Sequence, residues 1–355
     1  MQHSLPADDI RAIRAALLSF FDRSARPLPW RQTRDPYAVW VSEVMSQQTR
    51  VETVVPYYHR WLDRFPDVAA LAAAPVADVL KAWEGLGYYS RARNMHAAAR
   101  ILRERHDSAV PSSHEVLRGL PGIGDYTAGA VSSIAFGERR PAVDGNVRRV
   151  LSRVLDLPAP SAALLRDVAA TLVPEDRPGD FNQALMELGA TICTPRSPRC
   201  DRCPIAPQCA ALAAGTVEER PARITKKRIP VIDIATAVLR DPGGRLLIVR
   251  RPDEGLLAGL WCFPGTELQT GDDPRTVASA VADAYATVRG EPRPLGVIEH
   301  VFSHRRERYH CFILEAAAIG ASEGVEWIDD TDAPHALPRA QQRIRAMALA
   351  GGDPR

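Results

Sequence analysis

With 355 residues, 46% of them hydrophobic and 25% charged, the chain is long enough for about two domains with separate cores and lies well away from the composition of disordered chains. A formal net charge of +2 excludes neither an anionic nor a neutral partner. Apolar stretches such as residues 69–80 are broken by Asp or Pro well short of the ~20 residues of a membrane span, and MQHSLPADDIRAIRAAL carries acids where a signal peptide has a basic end and an apolar core, so the expectation is a cytoplasmic protein without a membrane segment.

From Asp8 to about Leu212 the apolar periodicity is helical and no strand run stands out. Asp35 and Pro36 supply a cap and a first-turn proline, and Val39, Val44 and Met45 recur at helical spacing, which predicts that Glu43 and Gln47 lie one turn apart on a single face. Further helices are predicted over residues 51–65, 90–105, 127–136, 146–155 and 161–172. Residues 215–230, GTVEERPARITKKRIP, are charged, bracketed by Gly and Pro and free of an apolar stripe, which predicts a linker. After Pro230 come alternating β-branched runs (VIDIATAVL, RLLIVRR, PLGVIEHVF, RYHCFIL) separated by turn signals such as Asp241-Pro242-Gly243-Gly244. A helix over residues 274–286 and a short one near 338–350 complete the pattern. The expected organisation is an all-α domain over 1–214, a linker over 215–230 and an α+β domain over 231–355.

The basic residues are almost all arginine: Lys81, Lys226 and Lys227 are the only lysines, so a Schiff-base mechanism would have to use one of three side chains. Arginines cluster in residues 89–106, 139–153 and 300–310, which makes a polyanion a plausible partner. Four of six cysteines, Cys193, Cys200, Cys203 and Cys209, fall within seventeen residues at C-x6-C-x2-C-x5-C, in a loop punctuated by prolines. A cytoplasmic chain has little use for a dense disulfide knot, so metal binding is the natural reading. Four thiolates suit a structural zinc or a [4Fe–4S] cube; zinc ribbons bring two short-spaced pairs where this loop has one, so the spacing favours the cluster. Cys262 and Cys311 stand singly in strand patterns and read as buried hydrophobes.

In LPGIGDYTAGAV, Gly122 and Gly124 form a tight turn feeding a helix near Tyr126, whose free N–H groups make a cradle for a DNA phosphate. VDGNVRRV puts Asp144 just before another helix, where the plain role is a cap. Alone, Glu43 would read as a solvated charge.

Taken together, PLPWR, EVMSQQT, WEGLGYYSRARN, LPGIGDYTAGAV, AVDGNVRRVLSR, FNQALMELGA, the four cysteines and FSH at 302–304 resemble the helix-hairpin-helix DNA glycosylases with an iron–sulfur loop, and among these the adenine DNA glycosylase family. Ser46 stands where members usually carry an apolar residue, commonly leucine. The resemblance implies a helical glycosylase domain holding a [4Fe–4S] cluster in loop 193–209, followed by a Nudix-like domain, in a monomeric, nucleoid-associated enzyme that removes adenine opposite 8-oxoguanine or G in double-stranded DNA. It implies Glu43 as general acid, Asp144 as the carboxylate facing the oxocarbenium-like sugar, and Tyr126 and Asn146 as their support. Trp30, Arg31 and Gln183 would wall the adenine pocket. Gln48 and Tyr88 would fill the stack when adenine is flipped out, with Leu86 a further substrate-binding position and Gly122 and Gly124 holding the backbone. In the second domain Phe302, Ser303 and His304 would read the damaged base, followed by Arg305, Arg306 and Arg308 toward the phosphates.

Four rivals are weaker. A non-catalytic DNA-binding protein on the same scaffold would not need both Glu43 and Asp144. An endonuclease III-like lyase needs a lysine where this chain has Tyr126. A T:G mismatch glycosylase tolerates tyrosine there but lacks the second domain. GLWCFPGTEL resembles the start of a Nudix hydrolase, yet the helix that should be dense in magnesium-binding glutamates reads PRTVASAVADAYATV, with Asp283 its only acid.

Overall fold

Asp35 accepts hydrogen bonds from the N–H groups of Tyr37 and Ala38 and Pro36 occupies the first turn, so the helix carrying Glu43 starts where the capping chemistry requires. The computed structural model describes residues 5–222, 229–317, 323–329 and 333–350. Its helices are α1 (Ala7–Ser24), α2 (Pro36–Ser46), α3 (Val51–Arg64), α4 (Val68–Ala73), α5 (Val76–Ala82), α6 (Ser90–Arg105), α7 (His114–Arg118), α8 (Asp125–Phe136), α9 (Gly145–Val154), α10 (Ala162–Leu172), α11 (Pro178–Thr191), α12 (Ala210–Ala213), α13 (Pro274–Asp283) and α14 (Arg339–Leu349). Its strands are β1 (Val231–Arg240), β2 (Leu246–Arg250), β3 (Trp261–Cys262), β4 (Gly265–Glu267), β5 (Val288–Val301), β6 (Arg306–Ala316) and β7 (Val325–Ile328). No helix among the described residues is long and apolar enough to cross a membrane.

The chain divides into two compact units, Met1–Ala73 with Asn94–Thr225, and Ala74–Arg93 with Lys226–Arg355. The first is all-helical. Ile13 and Leu17 of α1, Val150, Leu151 and Val154 of α9, Leu165 and Val168 of α10, and Phe181, Leu185 and Leu188 of α11 form one buried cluster, each worth roughly 1.5–3 kcal/mol of burial. This core fixes α9, which starts at Asp144, against α11. Gly189 permits the approach: a Cβ there would stand 2.6 Å from the Cβ of Asn146.

The second unit is built on a sheet of order β3-β2-β1-β6-β5, with β4 on β1 and β7 on β2. Residues 235–239 of β1 are all buried, because both faces are covered. Val238, Ile248 and Ile313 share a cluster with Ile344 and Ala348 of α14, while Ala237, Leu239 and Leu314 pack with Ala282 of α13. β5 and β6 form a long antiparallel pair with His300 opposite Glu307 and Val301 opposite Arg306, so the tripeptide Phe302-Ser303-His304 sits at the turn, closed by Phe302 N–H donating to Arg305 O at 2.8 Å.

The predicted helices are present, with three corrections. Helix α2 ends at Ser46 and Gln47 leaves it at ψ 113°, ahead of the left-handed Gln48, so Glu43 and Gln47 are not stacked one turn apart. The single domain boundary near 215 does not describe the packing. Residues 74–93 belong with the β unit because Glu84 accepts the Leu337 N–H at 2.8 Å, Lys81 donates to His335 O at 3.3 Å and Arg93 donates to Ala258 O at 2.7 Å. The first half of the predicted linker is tied to the helical unit, since Ala222 N–H donates to Pro158 O at 2.7 Å and Arg153 Nε donates to Val217 O and Arg220 O. Residues 223–228 of that linker lie outside the described residues.

Candidate active site

Helices α2, α8 and α9 converge on two carboxyl groups. Glu43, 9% exposed on α2, accepts a hydrogen bond of 2.5 Å from the Tyr126 hydroxyl, which is placed by the first turn of α8 after the Gly124 cap. Burial pushes the Glu43 carboxyl up to about 7; the nearby Asp144 charge adds to this, and the Tyr126 hydroxyl and Arg31 oppose it. Tyr126 is pushed well above its ordinary range by burial and by the two carboxyls, so it stays a neutral donor. Asp144 caps α9 and accepts from Val147 N–H at 2.7 Å and Asn146 Nδ2 at 2.9 Å. Burial raises it too, but those bonds and Arg149 pull back toward the ionised form. The two acids thus occupy opposed settings: one donor on a helix interior for Glu43, several N–H donors at a helix start for Asp144. Tyr126 and Asp144 also line a cavity of about 400 Å³ with Val143, Arg148 and Leu165.

Of the residues expected to wall the adenine pocket, Arg31 is brought to this site. It acts on Glu43 electrostatically and donates to Glu187 Oε2 at 2.8 Å and to Arg26 O at 3.0 Å. Trp30 is buried edge-on to Tyr58, ring centroids 5.4 Å apart. Gln183 is half-buried on α11, one turn before Met186, whose sulfur lies 3.6 Å from the Tyr126 hydroxyl. Glu187 was not among the expected site residues. It is fully enclosed, binds Arg26 with both oxygens and Arg31 with one, and anchors the pocket wall. Its only sequence signal is an acid inside the apolar face of FNQALMELGA.

Gln48 and Tyr88 are exposed and both adopt left-handed backbone, φ 58° and 48°, a disfavoured conformation that concentrates at functional positions. Gly122 needs its lack of a side chain, with φ 76° and a Cβ that would meet Asn94 at 2.6 Å. Gly124 does not: its φ is −92° and its Cβ would point into open space. Within the second unit, Leu86, Tyr88, Phe302, Ser303 and His304 line one cavity of about 410 Å³ together with Leu257 and Arg339. The arginines after the tripeptide, expected to face phosphates, all lie in ion pairs. Arg308 is paired with Asp233, Arg305 with Glu307 and Glu267, and Arg306 lies 3.9 Å from Glu299.

None of the four loop cysteines is in a disulfide. Cys193 and Cys203 pack against the helical core. Arg153, 2% exposed, donates to Cys193 Sγ at 3.2 Å and to Thr194 O at 2.8 Å, while the Cys209 thiol donates to Arg153 O. Arg149 joins Cys193 O, Gly189 O and Asn146 Oδ1, so one helix carries Asp144 at its start and the cysteine loop along its side. Burial and the neighbouring Cys193, Cys209 and Cys200 push the Cys203 thiol up to about 11; four thiolates in this setting need a cationic group among them. Among the described residues no set of three or more His, Cys, Asp or Glu side chains is arranged around a single metal ion. A [4Fe–4S] cube takes one thiolate per iron and does not require convergence on one atom, so this donor set fits it.

Residues 41–175 match the HhH-GPD superfamily base excision DNA repair proteins, residues 193–209 the iron-sulfur binding domain of endonuclease III, and residues 235–347 the NUDIX domain. The chain is 38% identical to the adenine DNA glycosylase of Mus musculus over 90% of its own length and 74% of that protein. It is 39% identical to that of Homo sapiens over 86% of its length and 67% of that protein. A solved thermostable thymine-DNA glycosylase is 29% identical, with a TM-score of 0.55 over 58% of this chain and 98% of its own. Fold and site therefore define a helix-hairpin-helix base-excision DNA glycosylase that carries a [4Fe–4S] cluster and a Nudix-like domain. Within that class, the chain belongs to the adenine DNA glycosylase family.

Proposed function

We propose that this glycosylase binds double-stranded DNA, flips out an adenine paired with 8-oxoguanine or with G, and hydrolyses its N-glycosidic bond to leave an abasic site. The observation that carries the reading is the Tyr126-bridged environment in which Glu43 is held near 7 while Asp144 is surrounded by N–H donors. Glu43, whose raised ionisation keeps a substantial protonated fraction near neutral pH, is the general acid that protonates the five-membered ring of adenine and then handles the attacking water. Asp144 is the ionised partner that stabilises the positive charge growing on the sugar, with Asn146 orienting it. Tyr126 holds Glu43 and offers no amine, so the strand is left uncut. Cys193, Cys200, Cys203 and Cys209 hold the cluster, which staples the loop onto α9.

Flipping costs a few kcal/mol and least at a mispair. Gln48 and Tyr88, already projecting from left-handed turns, fill the vacated stack. Trp30, Arg31 and Gln183 bound the adenine. Phe302, Ser303 and His304 read 8-oxoguanine together with Leu86, Ser303 being exposed at the hairpin tip and free to hydrogen-bond the lesion. The protein acts as a monomer in the cytoplasm, on nucleoid DNA.

The test is a panel of duplexes bearing A opposite 8-oxoguanine, A opposite G, A opposite T and T opposite G, incubated with enzyme and then heated in alkali. Cleavage at adenine in the first two, only after alkali, supports the proposal. Removal of thymine from the T:G duplex would favour the thymine-glycosylase reading that the solved neighbour raises.

A further inference from the structure

Arg91 is an arginine only 8% exposed, in the first turn of α6. Burial pushes its guanidinium down to about 10, which leaves it a cation at neutral pH. Its Nη2 donates to Leu86 O at 3.3 Å and to Gly87 O at 3.1 Å. The guanidinium carbon lies 5.1 Å from the ring centroid of Trp83 and 5.6 Å from that of Tyr88, within the range of a cation–π contact. Around it the loop is irregular: Gly85, Gly87 and Tyr88 have φ of 98°, 72° and 48°. Trp83 Nε1 donates to the same Gly87 carbonyl at 3.0 Å, and Arg91 N–H donates to Tyr88 O at 2.9 Å. Tyr88 itself is 47% exposed. A planar, forked cation suits this task, because one face attracts a ring while its edge ties two carbonyls.

We propose that Arg91 is a positioning residue for Tyr88: it fixes the 85–88 loop from inside the protein and holds the Tyr88 ring, so that the side chain stands ready to enter the base stack before DNA arrives. The inference rests on the reading of Tyr88 as the residue that fills the stack. A disordered Tyr88 would have to be ordered during binding, at a cost in affinity; a preorganised one is not. Arg91 touches neither substrate nor reacting atoms in this scheme, so its loss should be felt mainly through Tyr88.

That property gives the test, a double-mutant cycle on the full-length, cluster-loaded enzyme using Arg91→Met, Tyr88→Ala and the double variant. The readouts are affinity for a duplex carrying a non-cleavable adenine analogue opposite 8-oxoguanine, fluorescence of 2-aminopurine placed beside the mispair, and melting temperature. Arg91→Met is expected to weaken binding about tenfold, the scale of a desolvated cation–π contact with its accompanying hydrogen bonds, and to reduce the unstacking signal. In the Tyr88→Ala background the same substitution should change affinity less than twofold. Arg91→Lys, which keeps the charge and loses the fork, should recover part of the loss and replaces Arg91→Met if that variant does not fold. Equal costs in both backgrounds would overturn the proposal and leave Arg91 a structural residue. A silent Tyr88→Ala variant would instead overturn the stack-filling reading on which it rests.

Discussion

Replacing Glu43 by Gln should abolish excision and, at the same time, stabilise the protein in a pH-dependent way. The carboxyl ionises near 4.5 in an unfolded chain and near 7 in the folded one, chiefly through burial. Below pH 4.5 both states hold the proton and the carboxyl costs nothing. Between 4.5 and 7 the unfolded chain releases its proton while the folded chain keeps it, so the burden on the fold grows with pH and is complete above 7. At 1.36 kcal/mol per pH unit of difference it reaches about 3 kcal/mol. Gln has nearly the same shape, no charge, and an oxygen to accept the Tyr126 hydroxyl, so Glu43→Gln removes this burden. On a unit of about 200 residues that corresponds to roughly 6–12 °C in melting temperature at pH 8, shrinking toward zero near pH 4.5. Loss of the general acid should slow single-turnover excision by about 10² to 10⁴, with duplex binding retained. The measurement is thermal unfolding of wild type and variant at matched cluster content across pH 4.5–8.5, alongside gel-resolved excision. Identical melting temperatures at pH 8, or excision near the wild-type rate, would refute the argument that a strained, protonated Glu43 is the catalyst.

Tyr126→Phe deletes the hydrogen bond that favours the Glu43 carboxylate, so Glu43 should ionise at still higher pH and the alkaline fall-off of the excision rate should move upward; a downward move in the single-turnover pH profile would contradict the geometry. Glu187→Gln leaves Arg26 and Arg31 without their carboxylate; because the Arg26 side chain is 35% exposed, the expected loss is at the low end of that for a broken buried pair, about 3 kcal/mol by denaturation. Ser303→Ala combined with His304→Ala should lower the preference for A opposite 8-oxoguanine over A opposite G by roughly tenfold, measured as a ratio of single-turnover rates, while adenine is still removed; an unchanged ratio would move lesion reading to another part of the chain. With tyrosine at position 126, borohydride should trap little or no enzyme–DNA adduct on gels, and strong trapping lost in Lys81→Ala would assign a lyase.

Local chemistry was legible where one or two neighbouring residues decide it. Asp35 and Pro36 set the start of α2, and the β-branched run after Pro230 became a strand buried on both faces. What escaped was decided by partners distant in sequence. Gln47 looked continuous with the helix of Glu43 until the left-handed turn at Gln48 broke the period. The partner of Arg308 could not be read either: the parallel pairing of β1 with β6 sets Asp233 directly opposite it. Residues 74–93 read as part of the helical domain, while their hydrogen bonds run to carbonyl and amide groups some 165–254 positions away.

The site shows the same division more sharply. Residue type at 43, 126 and 144 was readable, and the resemblance implied which acid holds its proton; the physical cause was not readable, because it belongs to the surroundings rather than the side chain. Glu43 lies inside α2, whose backbone N–H groups are engaged in the helix, so a single phenol is what it receives. Asp144 lies at the start of α9, where the free N–H groups of a helix end supply Val147 and Asn146 as donors. The same two acids exchanged between these positions would exchange charge preference as well. What sets the two carboxyls apart is therefore the difference between a helix interior and a helix N-terminus. Gly189 maintains that difference by letting α11 close on Asn146, as does Arg149 by tying Asn146 to the carbonyls of Gly189 and Cys193.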